Sequence, residues 1–216
     1  MIKPAKYSAI LAAVATAILV TASAEARPQK GFHSGPYLVL ELGAMQEDFD
    51  RDQVTGQDIG SDFQPSFGFV FGWNIWDFFS GELQGRYSTN LSKSRREHIA
   101  SANAYGKWTF IADALTDFPS LRILPFVKGG LATRVSALPG TPGSSNSVVT
   151  RFGVGPTAGA GIAFLWKKYF YFGIDVQEDF LFFNDIDQTV GGVMRRVYDG
   201  GFHPSFSASA MIGVHY

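Results

Sequence analysis

Six ionisable side chains set the chemical problem of this sequence. Glu82 and Arg86 lie four residues apart in a stretch, Phe79 to Ser88, where every second residue is polar. Glu41, Lys107, Lys128 and Asp175 recur in similar alternating surroundings. In an extended chain successive side chains point to opposite faces, so these charges share a face with each other and not with their apolar neighbours. Charges of both signs gathered on one enclosed face must pair, because an unpaired buried charge is costly. The expected pairs are Glu82 and Arg86 with Lys107, and Glu41 and Asp175 with Lys128. Such a set either locks an interior shut or lines a narrow path for ions.

Other candidates carry less chemistry. Two cation clusters, Lys93 with Arg95 and Arg96, and Arg195 with Arg196, suit bound phosphate groups or simply a solvated surface. Asp48, Asp50 and Asp52 alternate as in a calcium loop, but Gln53 stands at the place of the required glycine and Ile59 at that of the closing glutamate. Gly153, Gly155, Gly159 and Gly161 lie inside an extended segment with no helix after them, unlike a phosphate-cradling loop. Making room for bulky neighbours is their expected role. The four histidines are scattered, without metal-ligand spacing. No catalytic, cofactor-binding or metal-ligating set is assigned.

Strands must position these residues. Period-two alternation picks out eight segments, within 37–46, 66–74, 79–88, 103–112, 125–135, 152–166, 169–178 and 205–216. Each is near the roughly ten residues that a tilted strand needs to cross a bilayer. Leu38, Leu40 and Leu42 oppose Val39 and Glu41 in the first, and Phe67, Phe69, Phe71 and Trp73 oppose Gly68, Val70 and Gly72 in the second. Connections alternate in length: long at 47–64, tight at 75–77, polar at 89–102, medium at 113–124, Pro/Gly/Ser-rich at 136–150, tight at 167–168 and longest at 179–204. Short turns on one side of a membrane and long loops on the other produce this order.

Aromatics gather where the turns are tight. Trp73, Trp76, Trp166, Tyr169 and the terminal Tyr216 form the expected interfacial girdle, with Phe78, Phe79 and Phe170 beside them. At the other end, Lys3 and Lys6 precede an apolar stretch from Ala9 to Val20 and a run of small residues to Ala26. Residues 1–26 therefore read as a cleaved signal peptide, too short to anchor, and 27–216 as one barrel domain. The chain has 18 Lys and Arg against 19 Asp and Glu, and losing Lys3, Lys6 and Glu25 gives a mature charge of −2. That balance argues against a nucleic-acid partner. With no cysteine, closure of the sheet must supply what disulfides would in an exported protein.

The opening Gly35-Pro36-Tyr37, the Glu82-bearing third segment, Pro125 to Gly130, Ala158 to Gly161 and the aromatic terminus Tyr216 carry a resemblance. The chain resembles the small eight-stranded outer-membrane β-barrels typified by the membrane domain of OmpA and by OmpX. It departs from them in ending on Tyr rather than Phe, and no peptidoglycan-binding domain follows. The resemblance implies an all-β, transmembrane, antiparallel up-and-down barrel in the bacterial outer membrane. The expected protein is monomeric, without cofactor or catalysis, and inserted by the barrel machinery through its last strand. Its expected role is structural or adhesin-like, through loops that meet host or envelope partners. The cation clusters are then expected to meet lipopolysaccharide phosphates. The alternatives are a narrow pore or solute conduit and, less in keeping with the residues, a lipid A ester hydrolase. For the last, His203 and Ser205 have the spacing, but Pro204 intervenes and no orienting acid follows.

Overall fold

Alternation at period two, with Phe and Leu on one face and Gly, Ser and charge on the other, leaves each strand unable to stand alone and drives strands into one closed sheet. A computed structural model describes residues 35–47, 63–76, 78–89, 97–110, 121–139, 148–167, 169–198 and 200–216. Ten strands follow in chain order: β1 (Gly35–Glu47), β2 (Gln64–Trp76), β3 (Phe79–Thr89), β4 (His98–Thr109), β5 (Leu121–Pro139), β6 (Val148–Trp166), β7 (Phe170–Phe183), β8 (Ile186–Val190), β9 (Val193–Tyr198) and β10 (Gly201–His215). Eight close into an antiparallel barrel in the order β1-β10-β7-β6-β5-β4-β3-β2, and β8 with β9 forms a separate hairpin. Closure runs through the last strand, where Tyr37 pairs with His215 and Glu47 with Ser205. A closed sheet has no free edge.

The faces fall as the alternation requires. Leu42 is 67 % exposed on the outside while its neighbour Glu41 is 2 % exposed within. Phe67, Phe69, Phe71, Leu83, Leu131 and Ile212 are likewise exposed outward. A slip of one residue would turn every such side chain to the wrong face, so the pattern itself pins the register.

Several boundaries differ from the sequence expectation. β4 starts at His98 rather than Asn103, because Ile99 and Ser101 continue the inward series. β5 and β6 are 19 residues each, well beyond the segments expected. The longest connection, 179–204, is not a loop throughout. β7 runs on to Phe183, β10 begins at Gly201, and between them stands the β8–β9 hairpin. Its turn is made by Gly191 and Gly192 at φ +60° and +82°, the left-handed pair that a two-residue hairpin loop requires. The expected signal peptide, the Asp48–Asp52 stretch and the Lys93, Arg95 and Arg96 cluster lie outside the described residues.

Candidate functional site: the barrel lumen

The interior of an eight-stranded barrel is just wide enough for side chains to fill. Here they fill it in layers. At the middle, Arg86 Nη2 reaches Glu41 Oε2 at 3.0 Å, and Gln84 donates to both Glu41 oxygens at 3.0 and 2.8 Å. Lys128 Nζ meets Asp175 Oδ2 at 2.6 Å. Toward the end that holds the termini, Lys107 pairs with Glu82, and Tyr37 donates to the same carboxylate. The Lys107 ammonium also lies 4.7 Å from the Tyr37 ring centroid, 5.1 Å from that of Phe126 and 5.4 Å from that of Tyr171. All six expected lumen residues are thus buried, Glu41, Arg86, Asp175 and Lys128 in one chain of ion pairs and Glu82 with Lys107 in a second beside it.

One of the expected pairings is corrected. Arg86 does not join Lys107; it takes Glu41 as its ion-pair partner and donates to Ser207, while Glu41 still borders the same gap as Lys128. Register gives the reason. Arg86 on β3 pairs with Gly68 on β2, and Gly68 pairs with Glu41 on β1. With no side chain between them, the two charges meet across the glycine. Lys107, by contrast, is opposite Ser80 and so one step from Glu82, while Arg86 lies farther up the same strand.

The same device recurs. Gly72 separates Tyr37 from Glu82, and a Cβ there would strike the Tyr37 ring. Gly159 lies under the Lys128 stem where it crosses β6, and Gly161 lies under the Phe126 ring. Gly153 accommodates Phe183. These inward glycines do make room for bulky neighbours, Gly155 excepted, whose near neighbour is the Phe180 backbone.

Arg134 and Gln177 fall on the inward faces that the alternation gives them, but their shared partner was not singled out from sequence. Arg134 Nη2 meets Asp179 Oδ2 at 2.5 Å, and Thr157 and Gln177 each donate to the other Asp179 oxygen at 2.6 Å. Asp179 stood in the expected loop, although its parity continues the inward series of Tyr171, Asp175 and Gln177. Tyr37, Tyr105 and Tyr171 share the inward parity of the charges, but their part in the network was missed because a tyrosine carries no charge that demands a partner.

Apolar layers close both ends of this polar core. Val39, Val70, Leu124, Phe126, Leu165 and Met211 pack with Tyr37 and Tyr171 toward the termini. At the other end the hairpin folds down: Ile186, Val197 and Tyr198 pack on Met45, Ile99, Leu138 and Val149 of the barrel wall. Arg151, fully buried, lies 4.7 Å from the Phe183 ring centroid and 5.8 Å from that of Tyr198. A gap of about 10 Å3 bordered by Glu41, Glu82, Lys107 and Lys128 has room for about one water.

The outer candidates lie elsewhere. Trp73, Trp76, Trp166, Tyr169 and Tyr216 are all exposed at the termini end, where Trp76 stacks on Phe78 at 6.0 Å. Arg195 and Arg196 are exposed on the hairpin, and Arg196 is held by Asp185 at 3.0 Å and Asp187 at 3.4 Å. His203 is a β10 residue rather than a loop residue, with its ring edge-on to Phe183. Ser205 donates its hydroxyl to the Gln46 carbonyl at 3.1 Å, so its proton is not directed at His203.

No family model and no curated protein matches the sequence. Solved structures do. Neisserial surface protein A (NspA) superposes with a TM-score of 0.59 at 14 % identity, over 85 % of this chain and 98 % of that one. The outer membrane protein OprG of Pseudomonas aeruginosa superposes with a TM-score of 0.53 at 11 % identity, over 85 % and 97 %. The fold is that of the small outer-membrane barrels. An apolar outside around a polar, filled inside fits that membrane and would not be sustained in water.

Proposed function

We propose that the protein is a monomeric, non-enzymatic outer-membrane barrel that acts through its surface and its loop end, in envelope integrity or in contact with outside partners, and not by passing solute. One observation carries this reading: the lumen is occupied along its length by paired charges between two apolar layers, one of them supplied by the hairpin. A closed interior leaves the outside and the loops to do the work, and recognition by such proteins is carried by loops. The similar NspA is by name a surface protein, in keeping with that reading. Insertion through the β10 strand and contact of Arg195 and Arg196 with lipopolysaccharide phosphates belong to the same proposal.

Planar bilayers test it. The full-length mature protein, folded in detergent and reconstituted, is expected to give no resolvable current steps. Stable, ohmic openings of the wild-type barrel would overturn the closed reading in favour of a narrow pore. In cells, replacing 186–198 by a short glycine linker is expected to leave barrel assembly intact while changing detergent sensitivity or surface adhesion.

A further inference from the structure

The wall that faces lipid carries a single base. Of the Lys, Arg and His side chains described on the eight barrel strands, His98 alone lies on the outward face. It opens β4 and is exposed, while Glu97 before it and Ile99 after it are buried inward. Its partners across the sheet are Thr89 on β3 and Ala137 on β5, neither of them charged.

The ring is held from one side. The Tyr87 hydroxyl lies 2.5 Å from His98 Nδ1, and the two rings stack at 6.1 Å. Tyr87 in turn packs on Phe67 of β2 at 5.4 Å. A phenol donates readily and an imidazole nitrogen accepts readily. With Nδ1 taken in this way, the neutral ring carries its proton on Nε2, and a protonated ring carries one there too. Nε2 is therefore an N–H donor in either state, and among the described residues no group accepts from it.

Height decides what that donor can meet. Phe67 is six residues from Trp73, Tyr87 eight from Phe79, and His98 ten from Trp108. Trp108 packs on Phe79 at 4.9 Å, beside the girdle at the termini end. At about 3.3 Å per residue and a tilt of roughly 40°, the three rings stand about 15, 20 and 25 Å up an apolar band about 25 Å tall. They climb the wall as a diagonal from the acyl region to its outer rim. The free donor is at the top, level with headgroup phosphates.

We propose that these three rings bind one acylated phosphomonoester of the outer leaflet, the chemistry of lipid A: an acyl chain lies against Phe67 and Tyr87, and a phosphate oxygen accepts from His98 Nε2. Tyr87 is the positioning residue. An ionisable side chain facing the membrane calls for a partner, and the wall offers Tyr87 alone. An ionised phosphate is a strong acceptor. The apolar flank of a neighbouring protein would leave Nε2 unmet. The site lies on the barrel wall, apart from Arg195 and Arg196 on the hairpin.

The test uses the full mature chain in phosphatidylcholine nanodiscs doped with equal parts of phosphatidic acid, a phosphomonoester, and phosphatidylglycerol, a phosphodiester. All three lipids have the same acyl chains, and those retained on release are counted by native mass spectrometry. Wild type is expected to keep phosphatidic acid over phosphatidylglycerol about threefold, the size of a partly exposed charge-assisted contact. His98→Gln should abolish the preference, and Tyr87→Phe, which keeps the imidazole but releases it, should weaken it. Nitrogen NMR of the wild type locates the contact without any variant: the His98 ring should shift on adding lipid A, while His203 and His215 inside the barrel should not. Equal retention by wild type, a preference unchanged by either substitution, or a His98 ring indifferent to lipid A would overturn the proposal. So would the same shift with soluble glycerol 3-phosphate, which would make this a site for free phosphate. These outcomes are read on heat-modifiable protein, so they are distinct from a failure of the barrel to fold in lipid.

Discussion

At the residue scale the interior is a set of charge pairs whose members cannot be removed singly. Glu41 is buried and takes its charge compensation from Arg86 at 3.0 Å. Arg86→Ala is expected to cost about 3–5 kcal/mol in urea unfolding from lipid vesicles, because the carboxylate is left uncompensated. Replacing both residues, Glu41→Leu with Arg86→Met, should recover most of that loss, since a well-packed apolar pair is a fair substitute for a buried ion pair. A double variant as unstable as the single one would show that the pair does more than neutralise. The glycines make a second expectation. Gly161→Val pushes a side chain into the Phe126 ring, and about 1–3 kcal/mol of overpacking should appear in the same assay. Gly129→Ala, outward and with open space around it, should cost much less.

At the scale of elements, the hairpin is the part least like a barrel strand and the most informative to disturb. β8 and β9 turn Ile186, Val197 and Tyr198 toward the wall, while Val193, Met194, Arg195 and Arg196 are exposed. Trypsin should reach Arg195 and Arg196 slowly while the inner face stays packed. Ile186→Ser with Val197→Ser removes that apolar contact and is expected to speed cleavage there by about tenfold or more, the factor that roughly 1.4 kcal/mol of lost docking yields. Cleavage unchanged by the double substitution would mean that the packing does not hold the hairpin down. β5 and β6, at 19 residues each, carry the wall beyond the other strands and supply Leu138 and Val149 as half of that contact.

At the scale of the whole molecule, the barrel is inside out relative to a soluble sheet protein: Phe, Leu and Trp outside, Glu, Lys and Arg within. Unheated protein in dodecyl sulfate should therefore migrate apart from boiled protein, and extraction from envelopes should need detergent. Recovery of the processed chain as freely dispersed material would contradict the fold's assignment to lipid. Closure couples the ends of the chain, since β10 pairs with both β1 and β7. Removing residues 205–216 should leave no heat-modifiable species at all rather than a weakened one.

The sequence by itself determined the faces, the number of barrel strands and the compartment, because a period of two and the aromatic content of tight turns are local properties that survive without any knowledge of neighbours. It also named six of the charges of the lumen. It did not determine every partner, and the error over Arg86 shows why. Which charge meets which depends on what lies on the strand between them, and Gly68 is an anonymous glycine until β1, β2 and β3 are in register. Asp179 and His203 were misplaced for a related reason: a loop and the end of a long strand have similar composition, and only pairing between β7 and β10 separates them. The hairpin's descent over the mouth and the closure of the lumen are both meetings of residues far apart in the chain. Packing of that kind is decided in three dimensions, where the width of the cylinder sets which side chains are close enough to touch.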